Sequence, residues 1–456
     1  MSGTRDRDAK SPVHQAGRIQ EVTDPDVCQR MREDWNRRAR EDARYFVAFG
    51  RRAQQEEEFF ATGLELARGL AREFVAQASL PVCSPRRALE IGCGLGRLMR
   101  PLAPHFSEIH GVDVSDEMVR QAREKLHDIP HAYVHHTAGS DLAAFPDDSF
   151  EFVFSYAVFQ HIPSREVVFH YLTEARRVLT TGGVFRFQVN GLPATAARYD
   201  TWHGVRISAA EIAEFARAHD FQLLALEGVS TQYLWVTLRK QPPGWCEALA
   251  AHRPSAAACI RRITNAHSSE PVAPSRGRFA SISLWIEGLP EHADLNHLAV
   301  RIGGAPGPLS YLGPPEHDGL QQLNAGLPQG LFSGLQPVEL SWLGQPIAPA
   351  ATLRVIPPPP LVPRIVSLTD GIDLLSGTLI VTRSVKVGLE EVSDPRQFRA
   401  AIAGTPVEGL DFFCVDPLPP RYEINFTLPD RVGPGVHQLE MELGARRFAP
   451  VTIEVA

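Results

Sequence analysis

The sequence has no long apolar run, and it contains few cysteine and lysine residues. Its first 17 residues are polar and charged and do not predict a secretory signal, and no stretch approaches the roughly 20 apolar residues of a membrane-spanning helix. None of the six cysteines forms a CxxC pair, which argues against a structural zinc site and against a disulfide framework. We therefore expect no metal, a reducing compartment, a cytoplasmic location and no membrane partner.

Basic residues are also outnumbered by acidic ones, with 46 lysine and arginine residues against 53 aspartate and glutamate residues and a net charge of −7. This balance does not favour a nucleic-acid partner held by phosphate neutralisation. What is present is an ordinary globular composition, with 44% hydrophobic and 22% charged residues. The length of 456 residues predicts roughly two to four domains and leaves the oligomeric state open.

The most informative stretch is a glycine-rich turn between two apolar segments. Glu90 ends the first segment, and Gly92, Gly94 and Gly96 follow it at two-residue spacing. Glycine tolerates positive φ and has no Cβ to keep a ligand away from the backbone. The second apolar segment ends at Asp113, where an acid can accept both hydroxyls of a ribose. Together these features predict a nucleoside-binding crevice in a βαβ unit.

The spacing of the glycines indicates which nucleoside is bound. A dinucleotide fingerprint is GxGxxG, whereas this turn is GxGxG and has Arg97 in the place of the last glycine. The constellation resembles the class I S-adenosylmethionine-dependent methyltransferases (type 11/25-like), whose first motif is ExGxGxG and whose second strand ends in a ribose-binding acid. The resemblance implies an α/β fold with a Rossmann-like doubly wound sheet, S-adenosyl-L-methionine as the cofactor, and methyl transfer as the reaction.

The resemblance also implies cofactor-binding residues at the carboxyl ends of several strands. In the family, the loop that corresponds to 139–142 borders the adenine, although its spacing to Pro146 is shorter here than in the common form of the motif. Cys93, inside the glycine turn, is expected to be a small filler and not a nucleophile. The predicted cofactor-binding residues are Glu90, Gly92, Cys93, Gly94, Gly96, Asp113, Val114, Met118, Ser140, Asp141, Ser155 and Gln160.

His161 is the candidate catalytic residue. It closely follows the predicted fourth strand, and histidine titrates near neutrality, but many relatives carry a packing histidine at this helix start. No NPPY-type motif for nitrogen acceptors is present, so we expect an oxygen or carbon atom of a small molecule or sugar as the acceptor. The segment after the fifth strand often shapes the acceptor pocket in this family, and here it contains Asn190, Tyr199, Trp202 and His203.

The N-terminal region is predicted to be a disordered tail up to about Val22, followed by helices over 26–58 and 62–77. It resembles the helical cap that lies over the cofactor in many bacterial methyltransferases. On that basis Trp35 or Tyr45 is expected to line the cofactor site. The equal alternative is that the aromatic ring packs against a neighbouring helix. Further along, Ser115 predicts a helix N-cap, and Ser208 with Glu211 predicts a capping box.

After Pro242 the helical periodicity gives way to short alternating strands, with turns about every ten residues. An internal repeat with an offset of 100 or 101 residues lies in this region. Its first set is Ile302, Gly304 and Pro306, repeated as Ile402, Gly404 and Pro406. Its second set is Asn324, Leu327, Pro328 and Gly334, repeated as Asn425, Leu428, Pro429 and Gly435. The repeat predicts two immunoglobulin-like β-sandwich domains joined by a stiff proline spacer at 357–360.

The predicted domains are a tail and helical cap (1–80), a methyltransferase domain (81–240), a linker (241–277) and two β-sandwich repeats (278–357 and 361–456). We expect few apolar contacts across the linker, so that the two parts fold separately. The alternative is that the linker helix and the first sandwich cover an apolar edge of the sheet. Two functions stay open, an active methyltransferase or a non-catalytic nucleoside-binding scaffold whose sandwiches bind a partner protein or glycan.

Overall fold

The computed structural model describes residues 25–48, 54–78, 86–194, 199–251, 258–277, 279–358, 360–371, 377–416 and 420–456. The predicted disordered tail up to Val22 lies outside these ranges. Within them, every helix is too short or too polar to cross a lipid bilayer.

In the described residues of the first part of the chain, seven strands form a sheet surrounded by helices. The strands are β1 (Arg87–Ile91), β2 (Glu108–Asp113), β3 (Ala132–His136), β4 (Phe150–Ser155), β5 (Leu179–Val189), β6 (Phe221–Glu227) and β7 (Leu234–Lys240). The helices are α1 (Pro25–Ala48), α2 (Glu56–Ala61), α3 (Leu64–Gln77), α4 (Met99–Leu102), α5 (Asp116–Lys125), α6 (Arg165–Val178), α7 (Ala209–Ala218) and α8 (Trp245–Ala250). Short 3-10 helices lie at Ala103–His105, Phe159–His161 and Pro395–Gln397.

These strands lie in the order β3-β2-β1-β4-β5-β7-β6, and all are parallel except β7, which is antiparallel to both neighbours. Phe152 and Phe154 pack on the α3 side of the sheet, and Val153 packs on the α6 side. A parallel sheet with both faces apolar needs helices on both faces. The predicted doubly wound, Rossmann-like sheet is therefore confirmed.

The predicted helix starts are also present. Ser115 Oγ accepts the N–H of Met118 at the start of α5, and Ser208 and Glu211 form a reciprocal capping box at the start of α7. Both devices satisfy backbone N–H groups that the first turn of a helix leaves without partners.

Two modules with the same strand order follow. The strands of module 1 are β8 (Cys259–Asn265), β9 (Val272–Pro274), β10 (Ser281–Glu287), β11 (Leu298–Ile302), β12 (Ala305–Gly307), β13 (Leu309–Pro315), β14 (Leu320–Gly326), β15 (Gly334–Trp342), β16 (Gln345–Pro346) and β17 (Ala351–Ile356). The strands of module 2 are β18 (Arg364–Asp370), β19 (Leu379–Ile380), β20 (Ser384–Glu390), β21 (Phe398–Ile402), β22 (Thr405–Pro406), β23 (Asp411–Asp416), β24 (Arg421–Thr427), β25 (Gly435–Leu443), β26 (Arg446–Arg447) and β27 (Val451–Val455).

Each module consists of two sheets over one core. In module 1 the strand orders are β8-β10-β14-β13 and β12-β11-β15-β17-β9, and module 2 repeats them as β18-β20-β24-β23 and β22-β21-β25-β27-β19. Ile282 and Leu323 from the first sheet share a buried cluster with Val300 and Leu340 from the second. The sequence repeat thus corresponds to a repeat of strand topology.

The region predicted as a linker, 241–277, has a different structure. Its helix ends at Ala250, and β8 and β9 already belong to module 1, where they correspond to β18 and β19 of module 2. Module 1 therefore begins at β8 and not at residue 278. The polar stretch 268–277, with prolines at 271 and 274, is typical of a linker in sequence, although it contains β9.

The sheet of the first part continues into module 1. Strand β13 pairs antiparallel with β6 at Tyr311 and Ala225, which gives one sheet of 11 strands that ends at β8. The buried Asp294 accepts the Leu223 N–H at 3.3 Å, and Leu224 lies in the core of module 1. The expectation of few contacts between the two parts is wrong, and the alternative that module 1 covers the sheet edge is confirmed.

Candidate functional site

The glycine turn joins β1 to α4 and has three residues with left-handed backbone. The φ angles of Gly92, Gly94 and Gly96 are 75°, 51° and 76°, a region that favours glycine. The turn is also closely covered, because a Cβ on Gly92 would overlap Val158 and a Cβ on Gly94 would lie 2.9 Å from Val47 Cγ2. Both conformation and space therefore require glycine here.

Asp113 at the end of β2 is fixed by backbone donors. Its Oδ2 accepts the Gly94 N–H at 2.9 Å, and its Oδ1 accepts the Ser115 N–H at 2.8 Å. Burial raises the pKa of Asp113, and the two N–H donors oppose that shift. Each carboxylate oxygen retains a further lone pair, so the group can still accept hydroxyl donors from a ligand.

Glu90 and Arg97 place an acidic and a basic side chain in the buried layer beside the glycine turn. Among the described residues, Glu90 Oε2 and Arg97 Nε are buried side-chain atoms without a hydrogen-bond partner. Burial raises the pKa of Glu90 well above its ordinary value, with Arg97 opposing the shift, and burial lowers the pKa of Arg97. Unpaired buried polar atoms are costly in a folded protein, so they indicate a place where a ligand supplies the missing partner.

Helix α1 forms a roof over this edge of the sheet. Met31 faces Gly139, its Cε 3.5 Å from where a Cβ of that glycine would lie, and Val47 covers Gly94. Between them, Asn36 Oδ1 accepts the Ser115 hydroxyl at 2.8 Å and the Glu117 N–H at 3.1 Å. The helix thus spans the distance from the predicted adenine loop to the glycine turn.

The predicted adenine-side residues lie around the ends of β2 and β3. Ser140 is buried, and its hydroxyl lies 3.4 Å from Asp141 Oδ2, while Asp141 Oδ1 accepts the Ala143 N–H at 3.1 Å. Val114 contacts the position of a Cβ on Gly139, and Met118 is buried beneath α1. Val114, Ser140 and Asp141 therefore come together, whereas Met118 supports α1 from below.

Two predicted site residues face into the protein. The Ser155 hydroxyl donates to the Ile91 carbonyl at 3.0 Å and ties β4 to β1. Cys93 is buried in the core on the α3 side, where burial raises the pKa of its thiol, and its N–H donates to the Val112 carbonyl. A packing role of Cys93 agrees with the predicted small filler.

Gln160 belongs to a side-chain network that the sequence analysis missed. Its Oε1 accepts from Gln188 Nε2 at 3.0 Å, and Gln188 Oε1 in turn accepts the N–H of Ala157 at 3.1 Å. Gln188 is fully buried in β5, and a polar residue in an otherwise apolar strand was the signal that could have identified it.

His161 packs between two indole rings. Its ring centroid lies 5.5 Å from that of Trp35 and 5.2 Å from that of Trp202. Its Nδ1 donates to the Trp202 carbonyl at 2.8 Å, and its Nε2 lies 3.3 Å from Gln160 Nε2. Burial lowers the pKa of His161 to about 4, so the ring is neutral at pH 7.

The remaining predicted acceptor-side residues are spread out. Asn190 Oδ1 accepts the Leu192 N–H, Tyr199 packs partly buried on the main core, and the His203 side chain is 77% exposed. Of this set, Trp202 contacts His161 directly. Arg38 of α1 extends over the Trp202 ring, with its Cζ 5.2 Å from the ring centroid.

Comparison with known proteins finds similarity in the part of the chain that contains the glycine turn. Residues 89–187 match the family model of a methyltransferase domain. Trans-aconitate 2-methyltransferase of Rhodopseudomonas palustris (strain BisB18) is 36% identical over 123 residues, which are 26% of this chain and 43% of that protein. Phosphoethanolamine N-methyltransferase 2 of Caenorhabditis elegans is 29% identical over 161 residues, 34% of this chain and 36% of that protein. The chain thus spans less than half the length of these curated relatives.

A similar solved structure is that of phosphoethanolamine N-methyltransferase 1 from Haemonchus contortus in complex with phosphoethanolamine and S-adenosylhomocysteine. It is 17% identical, covers 49% of this chain and 51% of that chain, and has a TM-score of 0.37. The family match over 89–187 includes the glycine turn, Asp113 and the strand that ends at Ser155. This part of the chain is a methyltransferase domain of the class that uses S-adenosyl-L-methionine.

Proposed function

We propose that the protein transfers the methyl group of S-adenosyl-L-methionine to an oxygen or carbon atom of a small molecule or sugar. The observation that carries this proposal is the placement of Asp113, whose carboxylate is fixed by the Gly94 N–H where the glycine turn meets the end of β2. Such a carboxylate can accept the two hydroxyls of a ribose.

The residues of the site fit the rest of the cofactor. The methionine end carries an ammonium and a carboxylate. Glu90 Oε2 would accept from the ammonium and Arg97 Nε would donate to the carboxylate, and both atoms are buried without a partner among the described residues. Asp113 would hold the ribose, and Ser140 and Asp141 would border the adenine. The cofactor supplies an electrophilic methyl group on its sulfonium.

The protein mainly has to align the acceptor with that methyl group and keep water away from the reaction. Val158 and Val47 cover the glycine turn, and Trp35 of α1 closes the side next to His161. A pKa of about 4 makes His161 a weak base at neutral pH, and its Nδ1–H is already donated to the Trp202 carbonyl. We therefore propose that His161 acts by packing and orienting the two indoles, in preference to proton abstraction.

The two C-terminal modules are proposed to be immunoglobulin-like. Their strand orders β8-β10-β14-β13 and β12-β11-β15-β17 correspond to the orders A-B-E-D and C′-C-F-G of that sandwich, and module 2 has the same orders. Module 1 extends the methyltransferase sheet, and module 2 is attached beyond it.

The test is product analysis after incubation with methyl-labelled cofactor and a panel of acceptors. Trans-aconitate and phosphoethanolamine, named in the relatives, are the first two to include. Label in a small-molecule product, lost in Asp113→Ala, supports the proposal, and label on nitrogen contradicts the expected oxygen or carbon acceptor. Cofactor binding without transfer to any acceptor of the panel favours the scaffold alternative.

A further inference from the structure

Four side chains on the α3 side of the sheet form a stack that leads away from the glycine turn. Tyr156, the first residue after β4, stacks on Trp235 of β7 with ring centroids 5.5 Å apart and an interplanar angle of 12°. Arg97 Cζ lies 5.6 Å from the Tyr156 ring, and Arg186 Cζ lies 4.8 Å from the Trp235 ring. We call Arg97, Tyr156, Trp235 and Arg186 the four-layer stack.

The far end of the stack is strongly anchored. Arg186 Nη2 pairs with Glu227 Oε2 at 2.7 Å, and Arg186 Nη1 donates to Thr237 Oγ1 at 2.6 Å. An arginine with its guanidinium fixed by a carboxylate loses little further freedom, so it holds the indole above it in place. Trp235 is therefore clamped from one face and presents its other face to Tyr156.

The near end is held differently. Arg97 Nη1 donates to Thr62 Oγ1 at 3.3 Å, and within the described chain Arg97 Nε is buried without a hydrogen-bond partner. The guanidinium thus lies against the Tyr156 ring and bonds one hydroxyl, while its Nε donor remains available. A side chain that is ordered before binding does not lose rotamer freedom when the ligand arrives, which increases affinity.

We propose that Trp235 and Tyr156 are positioning residues that aim Arg97 at the carboxylate of the cofactor's amino-acid end. The inference rests on the proposed function, because it requires that the glycine turn binds this cofactor. Neither residue need touch the cofactor itself, since they act through Arg97. By this proposal β7, a strand far from the glycine turn in sequence, contributes to the site through Trp235.

The test compares two ligands that differ only at the amino-acid end. S-adenosylhomocysteine has this end, and 5′-methylthioadenosine lacks it. In the full-length protein, Trp235→Leu should weaken binding of S-adenosylhomocysteine about tenfold in calorimetry and leave methylthioadenosine affinity within about twofold. Trp235→Phe retains an aromatic layer and should restore most of the lost affinity.

A matched control is Trp285→Leu in module 1, where Arg262 Cζ lies 4.6 Å from the indole in a similar stack. This variant should leave both affinities unchanged. Tyr156→Leu changes the adjacent layer and should give the same selective loss, which provides a second measurement if Trp235→Leu does not fold.

An equal loss for both ligands in Trp235→Leu and Tyr156→Leu would show a general structural role and overturn the inference. Unchanged affinity for S-adenosylhomocysteine in these variants would overturn it as well. Both results leave the proposed function intact. A wild-type protein that binds neither ligand overturns the proposed function, and the inference with it.

Discussion

Glu90 combines full burial with an unpaired Oε2, and burial raises its pKa well above the ordinary value. An ammonium group placed beside it would favour the ionised form and lower that pKa. We therefore expect binding of S-adenosylhomocysteine to release a proton from Glu90 in the pH range where this residue is protonated in the free protein.

Calorimetry in phosphate and in Tris buffer measures this proton, because the two buffers differ in ionisation enthalpy. Glu90→Gln retains the shape of the side chain and should abolish the buffer dependence of the binding enthalpy. A wild-type enthalpy that is the same in both buffers would contradict the role given to Glu90.

Asp113 is the residue on which the ribose assignment depends. In Asp113→Ala the ribose hydroxyls lose a charged acceptor worth about 1.5 to 3 kcal/mol, so affinity for S-adenosylhomocysteine should fall by about one to two orders of magnitude. Asp128→Ala is the control, since Asp128 is an exposed partner of Arg100. If calorimetry finds equal affinity in the wild type and in Asp113→Ala, the assignment of Asp113 to the ribose hydroxyls is wrong.

His161 should make stability depend on pH. Its pKa is about 4 in the folded protein and 6.5 ordinarily, so the unfolded state binds the proton more readily between these values. The free energy of unfolding should therefore decrease as the pH falls from about 6.5 towards 4. His161→Asn retains a donor for the Trp202 carbonyl but cannot titrate, so urea unfolding at pH 7 and pH 5 should show a smaller pH effect in the variant. An equal pH effect in both proteins would contradict the buried, neutral histidine.

At the scale of elements, polar contacts add to the apolar packing that holds helix α1 over the site. Asn36 Oδ1 accepts from Ser115 and from the Glu117 N–H in the first turn of α5. Asn36→Ala removes these acceptors, which should cost about 1 kcal/mol and loosen α1. Amide hydrogen exchange over α1 should become faster. Gln29→Ala, on the exposed face where Gln29 bonds Glu33, is the control and should leave α1 exchange unchanged.

Elements whose signals are local could be predicted from the sequence, and elements defined by distant partners could not. The glycine turn and the helix caps at Ser115 and Ser208 depend on residues within a few positions of one another. The four-layer stack instead joins Arg97 to Trp235, and nothing in either local sequence indicates the contact. The burial of His161 between Trp35 and Trp202 has the same origin, because the three residues come from separate elements.

At the scale of the whole molecule, the two modules differ in how their equivalent edge strands are used. Tyr311 of β13 and Asp411 of β23 lie opposite the equivalent residues Asn324 and Asn425. Tyr311 pairs with β6, whereas in the described part of the chain β23 pairs with β24 alone. A charged residue on an edge strand disfavours further strand pairing. Asp411 is thus unfavourable for the kind of pairing that Tyr311 makes with β6, and the periodicity of the repeat, which is shared by both modules, could not reveal this difference.

The continuous sheet predicts that the methyltransferase domain depends on module 1. A fragment of residues 1–240 would expose the edge of β6 together with Leu224, which module 1 buries. Unpaired apolar strand edges promote aggregation, so this fragment should aggregate or bind S-adenosylhomocysteine weakly. A fragment of residues 1–358 retains β13 and the Asp294 contact with Leu223, and it should stay soluble and bind like the full chain. Size-exclusion chromatography and calorimetry of the two fragments decide the matter. A soluble 1–240 fragment with full affinity would show that β6 needs no cover and that module 1 is an independent attachment.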